Sequence, residues 1–298
     1  MRCAVDRDRG WETARELPDE RARPGVLQYR GFRMTLDEPR RRLEVPAGVV
    51  TLVLGFEEHR LLLTDTRSLG SDSATVARPY TSLLSALRTR ASFGEHSGSL
   101  YGMEVVLAPW AAYTLFGIPM GEWADSILDP ADLVGSRVEG LARALADLPD
   151  WARRFELLDT ALGRWFAEGP GCSPRVVWAW QELCRTGGTV PIHRLAARTG
   201  WGTRQLENRF RQQIGLPPKT VARVLRLRRA LRSLHHGRTA ALTALSCGYS
   251  DQAHMSREVR RMTGLPPSRL MAARAFRPAG PPTNDRVDGQ VTSFGLPR

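Results

Sequence analysis

Residues 215–221 read GLPPKTV and residues 264–270 read GLPPSRL. The likeness extends upstream. Ala196–Trp201 (AARTGW) aligns with Ala244–Tyr249 (ALSCGY) at an offset of 48. One residue added in the second copy then matches Leu206 with Met255, Phe210 with Val259 and Gly215 with Gly264. Each copy is a short apolar helix, a glycine followed by an aromatic, a second helix, then Gly-Leu-Pro-Pro. Gly200 and Gly248 can take the left-handed conformation that ends a helix. The prolines stop one helix and begin the next, where a missing N–H costs little.

Two copies fall short of a solenoid, which needs three or more. A helix, a glycine turn and a basic second helix are instead the plan of a helix-turn-helix, here written twice. Ser250 is the expected N-cap of the later second helix, and Gly202 is a poorer cap for the earlier one. Between the copies, 218–234 reads as a helix with Val221, Val224, Leu225, Leu227, Leu231 and Leu234 facing inward. At about 1.5 Å per residue it would span roughly 25 Å. That suits two reading helices about one DNA turn, roughly 34 Å, apart.

Charge singles out the same region. Residues 191–277 carry 17 Arg, Lys219 and only three acids, Glu207, Asp251 and Glu258. The whole chain has 43 basic and 31 acidic residues, so the remainder holds 25 and 28 and is slightly acidic. Lys219 is the only lysine, so arginine richness by itself reflects codon usage as readily as function. A one-sided basic segment points to an anionic partner, and nucleic acid fits better than a merely solvated face.

At about 100° per residue the second helices have distinct faces. Over 203–213, Leu206, Phe210 and Gln213/Ile214 point inward. Arg204, Asn208 and Arg211 lie opposite, flanked by Glu207 and Gln212. Over 251–262, Met255, Val259 and Met262 point inward. Ala253, Arg257 and Arg260 lie opposite, flanked by Ser256 and Arg261. With Thr203, Ser250 and Gln252 at the helix starts, these are the candidate DNA-contacting residues. Arginine grips guanine O6/N7, asparagine grips adenine N6/N7, and alanine meets a thymine methyl. Arg204, Asn208 and Arg257 are assigned to bases. Arg211, Arg260 and Arg261, late in their helices, suit phosphates equally well.

The rest of the chain reads as follows. Residues 1–24 are charged, with Pro18 and Pro24, and are expected to be a loose lead-in. Residues 25–168 are expected to be a regulatory, sensing or dimerising domain. Strand-like runs come first (VLQYRGFRM, GVVTLVLGF, HRLLLTD, TVARPY, SLYGMEVVL) at a spacing typical of a sandwich or barrel. SLLSALRTR, near 82–90, suits either helix or strand. Helical patterns follow at about 109–117, 137–147 and 151–167. Residues 169–173 form a linker, 174–277 a helical domain, and 278–298 (PAGPPTNDRVDGQ onward) a tail expected to be disordered. Trp178 and Trp180 belong to the core of the helical domain. His235 and His236 suit the helix C-terminus, whose dipole favours cations.

Cys3, Cys172, Cys184 and Cys247 lack metal-like spacing. No signal peptide and no apolar run of membrane length is present, so a cytoplasmic protein without membrane contact is expected.

Residues 191–276 resemble the paired helix-turn-helix domain of AraC/XylS-type transcription regulators. The likeness rests on LAARTGWGTRQLENRFRQQIGLPPKTVARVLRLRRAL and ALSCGYSDQAHMSREVRRMTGLPPSRL. Met255 and Val259 stand where that family usually has phenylalanine, Gly202 where it has a serine cap, and Cys247 where valine or a small residue is common. These departures imply a slightly looser second core. Upstream, HSGSLYGMEVVLAPWAAYTLFGIPMGEWADSILDPADLVG is more weakly similar to the regulatory half of a subgroup of the family. The resemblance implies an α+β chain, with a β-rich cupin-like barrel and following helices, then an all-α double helix-turn-helix. For partners it implies a double-stranded DNA operator and RNA polymerase, with a small-molecule effector and a homodimer in keeping with it. Cupin enzymes hold metal through clustered histidines. Here His59 and His96 have no H-x-H partner, so neither metal nor cofactor is expected, and the apolar stretch 48–56 reads as a buried strand.

Two other classes compete. A non-specific architectural DNA-binding protein would use the same basicity. A repair methyltransferase with an AraC-like domain would need four clustered cysteines, and the N-terminal half has only Cys3 and Cys172. Neither G-x-S-x-G nor a P-loop is present, so no enzyme activity is expected.

Overall fold

The computed structural model describes residues 2–6, 11–56, 61–65, 78–275, 286–287 and 290–296. Its first half is built on strands β1 (Arg2–Asp6), β2 (Trp11–Glu16), β3 (Val26–Glu44), β4 (Val50–Gly55), β5 (Leu61–Asp65), β6 (Arg78–Tyr80), β7 (Leu83–Ser85), β8 (Ser92–Leu107) and β9 (Ile127–Leu128). Two of them are long. β3 has 19 residues and β8 has 16, and they pair antiparallel from Val26↔Leu107 to Glu44↔Ser92. The register shifts between Leu36 and Arg40. Each long strand changes its other neighbour near that irregularity. β3 leaves β2, and β8 passes from β4 to β5.

This sheet does not close, which corrects the expected barrel. Its main path runs β1-β2-β3-β8-β4-β7-β9, and the end strands β1 and β9 are not paired with each other. One face is covered by helices instead. Side chains alternate across a strand. Tyr29, Met103, Val105 and Leu107 therefore share a face and are fully buried. Helices α1 (Pro109–Phe116), α2 (Ala131–Val134), α3 (Ser136–Ala146) and α4 (Trp151–Glu168) follow the sheet. The buried stripe of α4, Trp151, Phe155, Leu158, Leu162 and Trp165, joins that face in one core. Gly31 allows the contact, because a Cβ there would sit 2.2 Å from the Trp151 ring.

Two other expectations change. Residues 1–24 are not a loose lead-in throughout. β1 and β2 pair along their whole length, and Ala14 is fully buried. Their many charged residues hid a local hairpin, whose second strand pairs in turn with β3. The tail is not wholly irregular either. β10 (Arg286–Val287) and β11 (Gln290–Val291) form a two-stranded ribbon, and β12 (Ser293–Leu296) joins β3 beyond the point where β2 leaves it. Phe294, 1% exposed, anchors it. SLLSALRTR carries β7 and no helix. His59, residues 75–77 of TVARPY and residues 276–285 lie outside the described residues.

The second half is helical: α5 (Pro174–Arg185), α6 (Ile192–Thr199), α7 (Thr203–Gln213), α8 (Pro218–His235), α9 (Ala240–Ser246), α10 (Gln252–Thr263) and α11 (Pro267–Ala275). The linker before α5 is tied down: the Ser173 N–H donates to the buried Gln213 Oε1 at 3.0 Å. No described helix is long and apolar enough to cross a membrane.

Candidate nucleic-acid interface

The repeat becomes two units leaning on one helix. In the first, α6 ends at Gly200, whose φ of 71° places it in the left-handed region. Leu195, Ala196, Leu206, Phe210 and Ile214 pack with Trp180 and Leu183 of α5. In the second, Gly248 (φ 75°) makes the turn, and Ala244, Cys247, Tyr249, Met255, Val259 and Met262 form the core. Helix α8 serves both. Val221, Ala222 and Leu225 belong to the first core, and Val224, Leu227, Ala230 and Leu231 to the second. Leu234, expected inward, is half-buried at the edge of the second. The doubled Gly-Leu-Pro-Pro now has a local reason. α8 begins at Pro218 and α11 at Pro267, so each motif ends a reading helix and starts its supporting one.

The structure brings the two candidate faces to the surface. Thr203, Arg204, Asn208 and Arg211 of α7 are exposed, and Glu207 and Gln212 are half-buried. Arg209, which was not singled out, donates to Gln212 Oε1 at 3.2 Å. On the second unit Ser250, Gln252, Ala253, Arg257, Arg260 and Arg261 are exposed and Ser256 is half-buried. Arg204, Arg257 and Arg260 make no ion pair with a described residue. Arg261 differs: it lies 3.8 Å from Glu258, which also accepts from Arg223 Nε of α8 at 2.8 Å. The Arg223–Glu258 pair braces α10 against α8. Sequence reasoning did not single it out, although Glu258 is one of only three acids in the segment.

The caps differ from expectation at one place. The N-cap of α10 is Asp251, whose Oδ1 accepts the His254 N–H at 2.6 Å. Ser250 stands one residue too early. Its hydroxyl donates to Asp251 Oδ2 at 3.2 Å and lies 3.0 Å from His254 Nδ1. Gly202 caps α7 without any side-chain bond. At the end of α8, His236 Nδ1 lies 2.7 Å from the Arg232 carbonyl. Trp180 is buried, and Trp178 is partly buried with the Arg198 guanidinium 4.7 Å from its ring centre.

Both reading helices touch the β-rich half at their C-terminal ends. The Ala91 N–H donates to the Met262 carbonyl at 2.8 Å. A short turn at Met120–Glu122 lies against α7, and a Cβ on Gly121 would come within 2.9 Å of the Arg211 carbonyl oxygen. Arg204 lies in the first turn of α7, and Arg257 lies at the middle of α10.

Acid titration should loosen the second unit. Burial pushes the Glu258 carboxyl up, but the hydrogen bond from Arg223 and the charges of Arg223 and Arg261 outweigh it and hold it below its ordinary value. Asp251 is held down chiefly by the His254 N–H. A carboxylate depressed in the folded state contributes stability that is complete above its unfolded value and is lost as pH falls through the folded one. Thermal melts should therefore drop as pH descends through the carboxylate range. Glu258→Gln should flatten that slope, and an unchanged slope would remove Glu258 from the account.

A family model described as a helix-turn-helix domain matches residues 195–273. No curated protein matches the sequence. A solved structure of a probable AraC family transcriptional regulator from Rhodopseudomonas palustris is 30% identical, covering 34% of this chain and 96% of that one, with a TM-score of 0.31. An AraC-type DNA-binding domain-containing regulator from Chromobacterium violaceum is 27% identical, covering 35% and 96%, with a TM-score of 0.33. ToxT from Vibrio cholerae is 9% identical and covers 83% of this chain and 98% of that one, with a TM-score of 0.44. The family match falls on the helical half that carries the doubled motif. Through that half, the chain belongs to the AraC family of transcription regulators.

Proposed function

We propose that the protein is a cytoplasmic, sequence-specific regulator whose helices α7 and α10 enter successive major-groove segments of one operator. The observation that carries this reading is the pair of exposed, unpaired faces, Arg204/Asn208/Arg211 and Ala253/Arg257/Arg260, held by a single helix that packs into both cores. Thr203, Ser250, Gln252, Ser256 and Gln212 would border the bases or hold phosphates, as helix N-termini and hydroxyls do. Arg261, engaged with Glu258, would meet phosphate. The β-rich half would sense a small molecule, pair two chains, or do both, and the complex would act on RNA polymerase.

Arg257→Ala should weaken operator binding by about 1–3 kcal/mol and relax the preference at one base pair. Arg204→Ala and Asn208→Ala should do the same on a segment about 10 base pairs away. Loss of an arginine that meets only phosphate should weaken all sequences alike and lower the salt slope by about one. The measurement is a titration of each variant against an operator library at two salt concentrations. Equal weakening of operator and random DNA by all three variants would favour an architectural protein over a regulator with its own operator.

A further inference from the structure

The loop 86–91 between β7 and β8 runs up against the helical half. Ala91 at its end is fully buried in the core of the second unit, and its N–H holds the Met262 carbonyl of α10. Thr89 is tied down on the other side. Its hydroxyl lies 2.9 and 2.8 Å from the two carboxylate oxygens of Asp125, and its N–H donates to Asp125 Oδ1 at 2.5 Å. Asp125 has a φ of 64°, a left-handed conformation that aspartate tolerates better than most residues. Arg90 stands between these two anchors, with its side chain exposed.

Arg90 lines a cleft of about 140 Å³ together with Thr89, Thr220, Arg223, Arg261 and Met262. Three guanidinium groups therefore border one space, from the loop, from α8 and from α10. Thr220 lies in the first turn of α8, where the helix dipole adds positive potential. The carboxylates beside the cleft are engaged. Glu258 is shared between Arg223 at 2.8 Å and Arg261 at 3.8 Å, and Asp125 is occupied by Thr89. Arg90 makes no ion pair or hydrogen bond with a described residue.

Like charges gathered around one space favour an anion there. Arginine suits phosphate, because its planar fork donates two parallel hydrogen bonds. Arg261 is 65% exposed and follows Arg260 on the outer side of α10, so a long polyanion lying along that helix can reach the cleft. We propose that Arg90 makes the β-rich half part of the DNA interface, gripping with Arg261 a backbone phosphate that flanks the α10 segment. This rests on the reading of α10 as a major-groove helix. The two anchors give Arg90 its purpose: a side chain presented from a pinned backbone loses less freedom on binding. They also fix the loop to α10 itself, so the contact travels with the reading helix.

The test is the affinity of the full chain for sheared mixed-sequence duplex DNA across a salt series, because a phosphate contact is blind to sequence. Arg90→Gln should weaken binding several-fold at low salt and lower the salt slope by about one. Arg90→Lys, which keeps the charge, should restore the slope. Arg143→Gln removes an exposed arginine from α3, and should leave the slope as it is. Melting temperatures should not change, since Arg90 is exposed and bonded to no described residue. A wild-type slope in Arg90→Gln, or an equal loss in Arg143→Gln, overturns the contact and leaves the regulator reading standing. A wild-type chain with no affinity for any duplex sinks both.

Discussion

Phe210→Ala should destabilise the first helix-turn-helix unit by about 3–5 kcal/mol, the range for deleting a fully buried phenylalanine. The ring is 0% exposed and sits among Leu206, Ile214, Leu195 and the α5 residues Leu183 and Trp180. The same core includes Val221 and Leu225 of α8, so the damage should not stay local. Circular dichroism should show helix loss at a much lower temperature. A variant that stays folded and merely prefers different DNA would mean that the inner and outer faces of α7 are interchanged.

Phe294→Ala should cost a similar amount, about 3–5 kcal/mol, although it lies 21 residues beyond residue 273, where the helix-turn-helix family match ends. Phe294 is the only residue of the C-terminal segment that is both aromatic and buried among the described ones. It packs with Leu43, Val45 and Ala91 of the β-rich half and with Met262 and Leu270 of the helical half. Its loss opens a cavity in a core that both halves share. The expected result is a lower melting temperature for the whole chain and faster proteolysis at both halves together. If only residues after 286 became susceptible, the strand would be a surface addition with no part in joining the halves.

The helical half was open to reading because its signals are local. Leu206 and Phe210, or Met255, Val259 and Met262, recur at helical spacing within one element. Gly200, Gly215, Gly248 and Gly264 all adopt the positive φ that the turns demand. Asp251 shows the limit of such reading. Serine and aspartate are both good caps, and only the backbone geometry decides which of two neighbours reaches the free N–H. The sheet was harder because a strand is half of a pair. Nothing within Arg2–Asp6 states that Trp11–Glu16 will cover it, and nothing within Ser293–Leu296 points to Leu43. Barrel closure depends on where the last strands meet, which no run of residues specifies. The faces of α7 and α10 followed from periodicity. The Arg223–Glu258 pair did not, since its partners lie 35 residues apart on two different helices.

One consequence follows from the shared helix α8. Most helix-turn-helix proteins acquire their second reading unit from a second copy of themselves, and a two-fold axis then makes the bound DNA look the same from either side. Here the two units lie in tandem in one chain, differ in sequence, and are fastened to opposite flanks of the same rod. A single bound molecule therefore has a front and a back. On the proposed reading its target would have polarity, with the α7 segment at one side and the α10 segment at the other. Inverting the site would turn the whole protein around on the duplex, carrying the β-rich half to the opposite side of any neighbouring promoter.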